Sequence, residues 1–303
     1  MGVRAVRFGK DMQMRAAVMT DTNSGMSLEE GARRGIFVLP MPIMIDHRGY
    51  LEGDSIAFEQ IFAAMEAGKT VTTSHPSPGE ICALWDHIFA MGYDEIVCIP
   101  MSSGLSSFYQ TASYLAREYD GRVFVADNHR ISLTLYESVL DAKAMADEGA
   151  SAEEICSRLE EKAYDATIYL TVASLDHLRR GGRLSAAVAA IGTILKIHPI
   201  MKIGGEKLEH FARVRGRLAA ARRMIEATFE ELHARFPDRA FRRTLVGAAG
   251  TLTDPAAIED WSSQIRRRFP EYPFLYHPLA CSVACHTGPG AFGTGFVCMD
   301  RVK

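Results

Sequence analysis

Three short polar segments carry the side chains that could do chemistry. They are Thr-Thr-Ser at 72–74, directly before a helix start, Ser-Ser-Gly-Leu-Ser at 102–106, between a predicted strand and a predicted helix, and a glycine-rich stretch that begins at His286. Hydroxyl groups beside the free N–H groups of a helix start can hold an anion. A serine and a histidine together can also form a nucleophile and its base. In each segment the polar groups could instead serve only the local backbone.

The serine segment resembles the nucleophile elbow of serine hydrolases in its place between strand and helix. It lacks the Gly-x-Ser-x-Gly motif. In this alternative the chain hydrolyses acyl esters, with Ser103 as nucleophile, His286 as base, and Asp21 or Asp127 as the acid that orients the histidine. The simpler interpretation is a glycine-assisted turn whose serines cap the next helix.

Two further patterns near the C-terminus are weak. The glycines at 288–293 match Gly-x-Gly-x-x-Gly, but a dinucleotide-binding turn must begin a helix, and here a strand is predicted to follow. Cys281, Cys285 and His286 lie close together without a second Cys or His pair at zinc-site spacing. Nothing resembles a Walker loop or a metal-binding set of carboxylates. We therefore expect no metal, no cofactor and no ATP site in this chain.

The elements that must position these segments follow from the apolar pattern. Strand and helix patterns alternate over the first half, which predicts an α/β fold with a mostly parallel sheet and helices on both faces. In such sheets ligands bind beyond the carboxyl ends of the strands, where Asp21, Ser24, Ser103 and Asp127 stand. The predicted strands are 16–20, 36–39, 43–45, 95–100 and 122–126, and the predicted helices are 27–35, 55–67, 77–91, 107–119 and 151–164.

The pattern changes near residue 166. The second half predicts a hairpin at 197–214, a long basic helix at 216–236, and a glycine-rich turn that presents His286. Further strands are expected at 167–172, 244–249, 274–276 and 295–299, and further helices at 185–195 and 254–269. We place a leader or disordered segment at 1–13, an N-terminal parallel α/β domain at 14–165, and a smaller mixed α/β C-terminal domain at 166–303.

The composition excludes several classes of protein. The chain has 303 residues, 48% of them hydrophobic and 23% charged, which is ordinary for a globular protein. Residues 1–160 carry a net charge of −10 and residues 161–303 one of +7. The basic half lacks the interleaved aromatics of a single-strand nucleic-acid binder, and no apolar run approaches the roughly 20 residues that span a membrane. Six scattered cysteines are too sparse for a disulfide scaffold, so we expect a cytoplasmic protein.

Taken together, the segments resemble the DegV family. Its motifs occur here in the family's order, and the resemblance covers essentially the whole chain from residue 14 onward. The matching segments are Thr-Asp-Thr-Asn-Ser at 20–24, Thr-Ser-His-Pro-Ser-Pro-Gly-Glu at 73–80, Ser-Ser-Gly-Leu-Ser at 102–106, Leu-Arg-Arg-Gly-Gly-Arg at 178–183, Val-Arg at 214–215, and His-Thr-Gly-Pro-Gly-Ala at 286–291. Several spaced motifs in the right order are far more specific than any one of them.

The resemblance implies a two-domain protein that holds one long-chain fatty acid between its domains. Some family members are the lipid-binding subunit of a bacterial fatty acid kinase, in which a separate ATP-binding subunit phosphorylates the carboxylate and the acyl phosphate feeds phospholipid synthesis. The family's head-group contacts carry over to Thr73 or Ser74, to Ser103 with Gly104, and to His286. We expect Thr73, Ser103 and His286 to converge on the carboxylate.

The same resemblance implies a docking surface for the kinase subunit. In the family the Gly-Gly-Arg segment lies near the ligand's exit, which favours a contact role for Arg183, with Arg215 as a weaker second candidate. Two glycines before Arg183 let backbone approach closely, and arginine pairs well with carboxylate or phosphate. One departure from the family is His75, where a glutamine is usual. A lipid sensor without a kinase partner is a second alternative to the hydrolase.

Overall fold

The structure is a computed structural model that describes residues 14–183, 197–205, 207–237 and 242–300. The strands are β1 (Ala16–Asp21), β2 (Ile36–Leu39), β3 (Pro42–Ile45), β4 (Arg48–Leu51), β5 (Val71–Thr73), β6 (Glu95–Ile99), β7 (Val123–Val125), β8 (Ala166–Thr171), β9 (Ile197–Ile203), β10 (Leu208–Arg215), β11 (Arg242–Gly250), β12 (Phe274–Pro278) and β13 (Phe292–Asp300). The helices are α1 (Leu28–Arg34), α2 (Phe58–Glu66), α3 (Pro78–Ala90), α4 (Phe108–Leu115), α5 (Ser132–Asp147), α6 (Ala152–Glu161), α7 (Asp176–Arg180), α8 (Arg217–Arg235), α9 (Pro255–Arg268) and α10 (Cys281–Thr287).

The N-terminal sheet is fully parallel, with strand order β2-β1-β6-β7. Every residue of β1 and of β6 is buried, because helices cover both faces of the sheet. Successive side chains of a strand point to opposite faces. Met19 therefore packs with Trp85 of α3, whereas Val18 packs with Val139 of α5. The predicted α/β class is confirmed.

The C-terminal sheet is mixed, with strand order β10-β9-β8-β13-β11-β12. Only β11 and β12 pair in parallel, and the other neighbours are antiparallel. Helices α8 and α9 pack on it through a cluster that includes Met224, Trp261 and Phe296. The first strand of this sheet begins at Ala166, and the domain boundary at 165/166 stays a prediction.

A small antiparallel sheet, with order β4-β3-β5, stands apart from the other two. With α2 it encloses an apolar cluster of Ile43, Ile56 and Ile61, against which Cys285 of α10 packs. The sheet thus places Thr73, at the end of β5, beside a helix more than 200 residues away in the chain. Strand β4 was not predicted, because Arg48, Gly49 and Tyr50 show no apolar alternation.

Helix α5 is another element that the sequence pattern missed. It lies between the two large sheets and is buried on most of its circumference. Leu133 packs with Leu245 and Val297 of the mixed sheet, whereas Val139 packs with Val97 of the parallel sheet. A helix buried on both sides has no single apolar stripe, so the 3.6-residue period is weak.

Most predicted helix boundaries are confirmed by their caps. Ser77 and Ser151 each form a capping box with the glutamate three residues later, at the starts of α3 and α6. The long basic helix and the hairpin of β9 and β10 are also present. The prediction that a glycine-rich turn presents His286 was wrong, because His286 lies in the last turn of α10. The helix predicted at 185–195 lies outside the described residues.

A search of the described helices for a membrane span found none with the necessary length and apolarity.

Replacing Leu135 with alanine should lower the free energy of unfolding by about 3 kcal/mol, because this side chain is fully buried in the cluster that joins the two large sheets. Leu218→Ala is the matched control, since Leu218 is 66% exposed and its loss should cost less than about 0.5 kcal/mol. Urea denaturation of both variants measures the difference. Equal losses of unfolding free energy in the two variants would mean that the Leu135 side chain of α5 does not stabilise the core.

Candidate functional site

A cavity of about 270 Å³ lies where the parallel sheet, the mixed sheet and the small sheet meet. Its wall is apolar over most of its extent and polar in one region. The apolar lining residues are Met41, Met101, Leu105, Ile131, Leu170, Leu178, Ile203, Leu208 and Val283, and the polar ones are Asn23, Thr73, Ser74, His75, Ser106, Ser107, Arg183, Ser282, His286 and Thr287. Such a wall is typical of a small-molecule site with a few orienting groups.

Two of the predicted site residues meet directly in this cavity. Thr73 Oγ1 lies 2.7 Å from His286 Nε2, a hydrogen bond that joins strand β5 to helix α10. Thr73 is held in register by Ile43 of β3, and α10 packs against both β5 and α2. Ser74 lines the cavity next to them, and its N–H donates to the carbonyl of Pro42.

The second ring nitrogen of His286 has no hydrogen-bond partner among the described residues. This atom, Nδ1, faces Gly181, where a Cβ would lie only 2.0 Å away. Because Gly181 has no side chain, the imidazole of His286 can approach the backbone this closely. Burial, with the Arg183 charge as a smaller cause, lowers the pKa of His286 to about 4. The imidazole is therefore neutral at physiological pH.

The serine segment is positioned by Asp127, at the carboxyl end of β7. Its carboxylate accepts a hydrogen bond of 3.2 Å from the N–H of Ser103. Ser103 and Gly104 do not line the cavity of Thr73 and His286; they line its mouth, described next. Ser106, three residues further on, does reach the cavity and is buried. The expected convergence of three residues is thus seen for Thr73 and His286, and head-group binding by Ser103 and Gly104 stays a prediction.

The mouth is a more open cavity of about 500 Å³ that shares Leu105, Ser106, Ser107, Arg183 and Leu208 with the first. Its other lining residues are Ser103, Gly104, Gln110, Gly182 and Lys207. Among the residues with described positions, the charged side chains that line the mouth are Arg183 and Lys207, and both are basic. The guanidinium group of Arg183 donates to the carbonyl of Gly181 at 2.7 Å, which holds it at the boundary between cavity and mouth. Arg215 is exposed on β10 and lines neither.

On another side the cavity continues into an apolar pocket of about 50 Å³. The two share Ile131, Leu170, Ile203, Val283 and Thr287. Beyond these the pocket reaches further into the mixed sheet, to residues that include Ile168, Leu279 and Phe292. The cavity therefore adjoins a polar mouth and an apolar pocket.

A buried polar network in the cavity wall escaped the sequence analysis. Asn23 and Ser282 line the cavity, and behind them the carboxyl group of Glu52 accepts hydrogen bonds from the backbone N–H groups of Cys281 and Ser282 at the start of α10. Glu52 is 6% exposed. Its immediate neighbours in the sequence, Leu51 and Gly53, do not indicate that an acid between them is buried, and only the tertiary structure shows it.

The hydrolase alternative needs a serine on His286 and an acid on its other nitrogen. In the described part of the chain the contact of His286 Nε2 is Thr73, not Ser103, and Nδ1 has no acid beside it. Asp127 instead holds the Ser103 loop, and the Asp21 carboxylate accepts from the N–H of Met101. The geometry gives this alternative no support.

The two weak motifs do not form sites. The glycines at 288–293 follow the end of α10 and continue into strand β13, the reverse of the order that a dinucleotide-binding turn needs. Cys285 is buried in the apolar cluster of the small sheet, and burial raises the pKa of the Cys281 thiol to about 12. No set of three metal-ligating side chains gathers among the residues with described positions.

The fold and the cavity together define an α/β protein with a largely apolar cavity between its sheets. The chain matches the sequence model of the family described as "Uncharacterised protein, DegV family" over residues 15–298, and it belongs to the DegV family. A DegV domain-containing protein of Streptomyces coelicolor is 30% identical over 283 residues, which are 93% of this chain and 98% of that protein. Protein DegV of Bacillus subtilis is 28% identical over 283 residues, 92% of this chain and 98% of that one.

Solved structures of two relatives have the same fold. A DegV family protein from Thermus thermophilus, whose structure is described as showing fatty acid binding, superposes with a TM-score of 0.82 at 28% identity, covering 94% of this chain and 99% of that one. DegV of Bacillus subtilis, described as a fatty acid binding protein, gives a TM-score of 0.81 at 26% identity, with 95% and 100% covered.

Gly181→Ala should displace the imidazole of His286, because the new methyl group would overlap Nδ1. We expect the Thr73–His286 hydrogen bond to break and the free energy of unfolding to fall by about 1–3 kcal/mol. Gly79→Ala is the control, since it lies in α3 with open space around it. Nitrogen NMR of the His286 ring reports the displacement. An unchanged His286 signal in Gly181→Ala would contradict the packing described above.

Proposed function

We propose that this protein binds one long-chain fatty acid, with the carboxylate at Thr73 and His286 and the acyl chain along the apolar wall. The observation that carries the proposal is the cavity itself, which holds the Thr73–His286 pair and adjoins both a polar mouth and an apolar pocket. An amphipathic ligand with one small polar end fits this order of surfaces. Fatty acid binding by the relatives from Thermus thermophilus and Bacillus subtilis supports the same assignment.

The acyl chain supplies the affinity in this account. A chain of about 16 carbons gains roughly 0.8 kcal/mol per buried CH2 group, or about 12 kcal/mol before the entropy costs of binding. The apolar lining, from Leu105 and Ile131 to Leu170, provides the surface for this burial. The small apolar pocket beyond Ile203 gives the chain room to extend into the mixed sheet.

The carboxylate must be hydrogen-bonded, because an ionised group without partners is costly to bury. We infer that His286 carries its proton on Nε2, since a bare Nδ1 costs less than an unpartnered N–H at the position beside Gly181. The Nε2–H group then donates to Thr73 Oγ1, which leaves the proton of the Thr73 hydroxyl to donate to the ligand. Ser106 adds a second hydroxyl on the same wall.

Thr73→Val should weaken fatty acid binding about 10- to 100-fold, because a hydrogen bond to a charged group contributes roughly 1.5–3 kcal/mol. Thr72→Val is the matched control: Thr72 is the exposed neighbour on β5 and does not line the cavity. The measurement is calorimetric titration of the delipidated proteins with palmitate, together with mass spectrometry of the lipid extracted from the protein as purified. Equal affinities in the two variants, or a purified wild-type protein that neither contains nor binds fatty acid, would contradict the proposal.

We further propose that the protein presents the carboxylate to a separate ATP-dependent kinase subunit. The sequence holds no phosphate-binding loop, and the mouth gives a second protein a route to the head group. Arg183 and Lys207 make this mouth basic, which favours an acidic partner surface or the phosphates of a nucleotide that the partner carries. A lipid sensor without a kinase partner would use the same cavity without the docking role of the mouth.

Arg183→Ala should lower the rate of acyl phosphate formation with the cognate kinase subunit about tenfold, and fatty acid affinity by no more than about threefold. The loss should be larger at low salt, where charge steering contributes most. Arg179→Ala removes the same charge from an exposed side chain of α7 and serves as control. Lost lipid binding with a normal kinase rate would place Arg183 in the lipid site instead, and equal rates in both variants would remove its docking role.

A further inference from the structure

The buried network behind the cavity wall links two carboxyl groups through an amide and a hydroxyl. Asn23 Nδ2 donates to Asp21 Oδ1 at 2.7 Å, and Asn23 Oδ1 lies 2.8 Å from Ser282 Oγ. Ser282 Oγ in turn lies 2.7 Å from Glu52 Oε2. The chain of contacts therefore runs from Asp21 in the parallel sheet, through Asn23 and Ser282, to Glu52 beyond the small sheet.

Counting protons along this chain shows that one is missing if both acids are ionised. The amide nitrogen of Asn23 is directed to Asp21, so its oxygen toward Ser282 can only accept. The Ser282 hydroxyl has a single proton, and it stands between this oxygen and Glu52 Oε2. When Ser282 donates to Asn23, a proton on Glu52 is needed to complete the contact of 2.7 Å.

The third hydroxyl of the network does not supply that proton. Thr22 Oγ1 accepts the N–H of Met41 at 3.1 Å and donates to Glu52 Oε2 at 2.7 Å. Asp21, by contrast, receives donors only, from the backbone N–H groups of Asn23 and Met101 as well as from the Asn23 amide. The contacts of Asp21 therefore suit an ionised carboxylate. Glu52 also receives donors, from two backbone N–H groups and Thr22, and it is its contact with Ser282 Oγ that calls for a proton on the acid.

The surroundings of Glu52 also disfavour a charge. Asp21 is fully buried, and neither acid forms an ion pair in the part of the chain that the structure describes. The titratable groups that face Glu52 are the thiols of Cys281 and Cys285 on α10, with Glu59 of α2 near Cys281. None of them can provide a positive charge. Burial raises the pKa of both acids, and it is the proton count that assigns the neutral form to Glu52.

We propose that Glu52 is held as a neutral carboxylic acid and that it is the positioning residue for His286. Its carbonyl oxygen accepts the Cys281 N–H at the start of α10, and its acid proton bonds to Ser282 Oγ, so that it fixes the beginning of the helix whose last turn presents His286 to Thr73. The positioning role rests on the proposed fatty acid site. The protonation state does not.

Infrared difference spectroscopy tests the protonation state without any ligand. A neutral buried acid shows the carbonyl stretch of a carboxylic acid at neutral pH, where exposed carboxylates show none. We expect this band in the wild-type protein and in Asp21→Asn, and its loss in Glu52→Gln. Absence of the band in the wild type would overturn the proposal, as would a band that persists in Glu52→Gln and disappears in Asp21→Asn. Should Asp21→Asn fail to fold, the comparison of wild type with Glu52→Gln decides alone.

Rescue by glutamine tests the positioning role. A glutamine keeps the acceptor for Cys281 and a donor toward Ser282, whereas alanine removes both. Fatty acid affinity should stay within about twofold in Glu52→Gln and fall at least tenfold in Glu52→Ala, with the NMR signal of the His286 ring shifted only in the alanine variant. Glu80→Gln is the control, since Glu80 caps α3 as an exposed carboxylate. An affinity in Glu52→Gln as low as in Glu52→Ala would show that an ionised Glu52 is required and overturn the proposal.

The pH dependence gives an outcome that a merely structural residue would not. A group with a raised pKa in the folded state contributes stability at low pH that is lost as pH rises from its unfolded value toward its folded value. The thermal midpoint of the wild type should therefore fall relative to Glu52→Gln as pH rises above about 4.5. A constant difference over that window would contradict a neutral Glu52. If the wild type bound no fatty acid at all, the proposed function would fail while the infrared band and this pH profile still tested Glu52.

Discussion

Helix α10 has only seven residues, and its position depends on how its first turn is held. The first N–H groups of a helix have no partners within the helix, so an acceptor from elsewhere must satisfy them. Glu52 provides that acceptor from the N-terminal half of the chain and thereby fixes a C-terminal helix against the small sheet. The far end of the same helix carries His286 to Thr73. One buried carboxyl group thus links the two halves of the protein at the ligand cavity.

The other walls of the cavity depend on how the sheets pack around this link between the two halves. Helix α5 fills most of the space between the parallel sheet and the mixed sheet, and the cavity occupies the part that α5 leaves open beside Ile131 and Leu170. The small sheet closes one side through Thr73, and Gly181 of α7's C-terminal turn closes another by direct packing on His286. Thr73 and His286 meet because β5 and α10 both end at the cavity, whereas Asn23 and Met101 reach it from beyond the carboxyl ends of the parallel strands β1 and β6.

The sequence predicted those features whose signals are local. The sequence shows the caps at Ser77 and Ser151, the short apolar runs of β1 and β6, and the motifs around Thr73 and His286. It could not predict helix α5, because burial on both sides removes the amphipathic period, nor the burial of Glu52, because only tertiary packing turns that polar residue inward. The distinction between Ser103 at the mouth and Ser106 in the cavity depends on the path of the loop that Asp127 holds. The spacing of residues in the sequence does not predict the path of this loop.

The most direct measurement is a crystal structure with a 16-carbon fatty acid that carries bromine on its last carbon. The carboxylate should lie beside the Thr73–His286 pair, with one oxygen within hydrogen-bond distance, about 3 Å, of Thr73 Oγ1. The anomalous signal of the bromine should lie deep in the apolar wall, toward the pocket of Ile168 and Leu279. A bromine peak in the mouth near Lys207, or a carboxylate at Asn23 and Ser282, would contradict the orientation of the ligand on which this account rests.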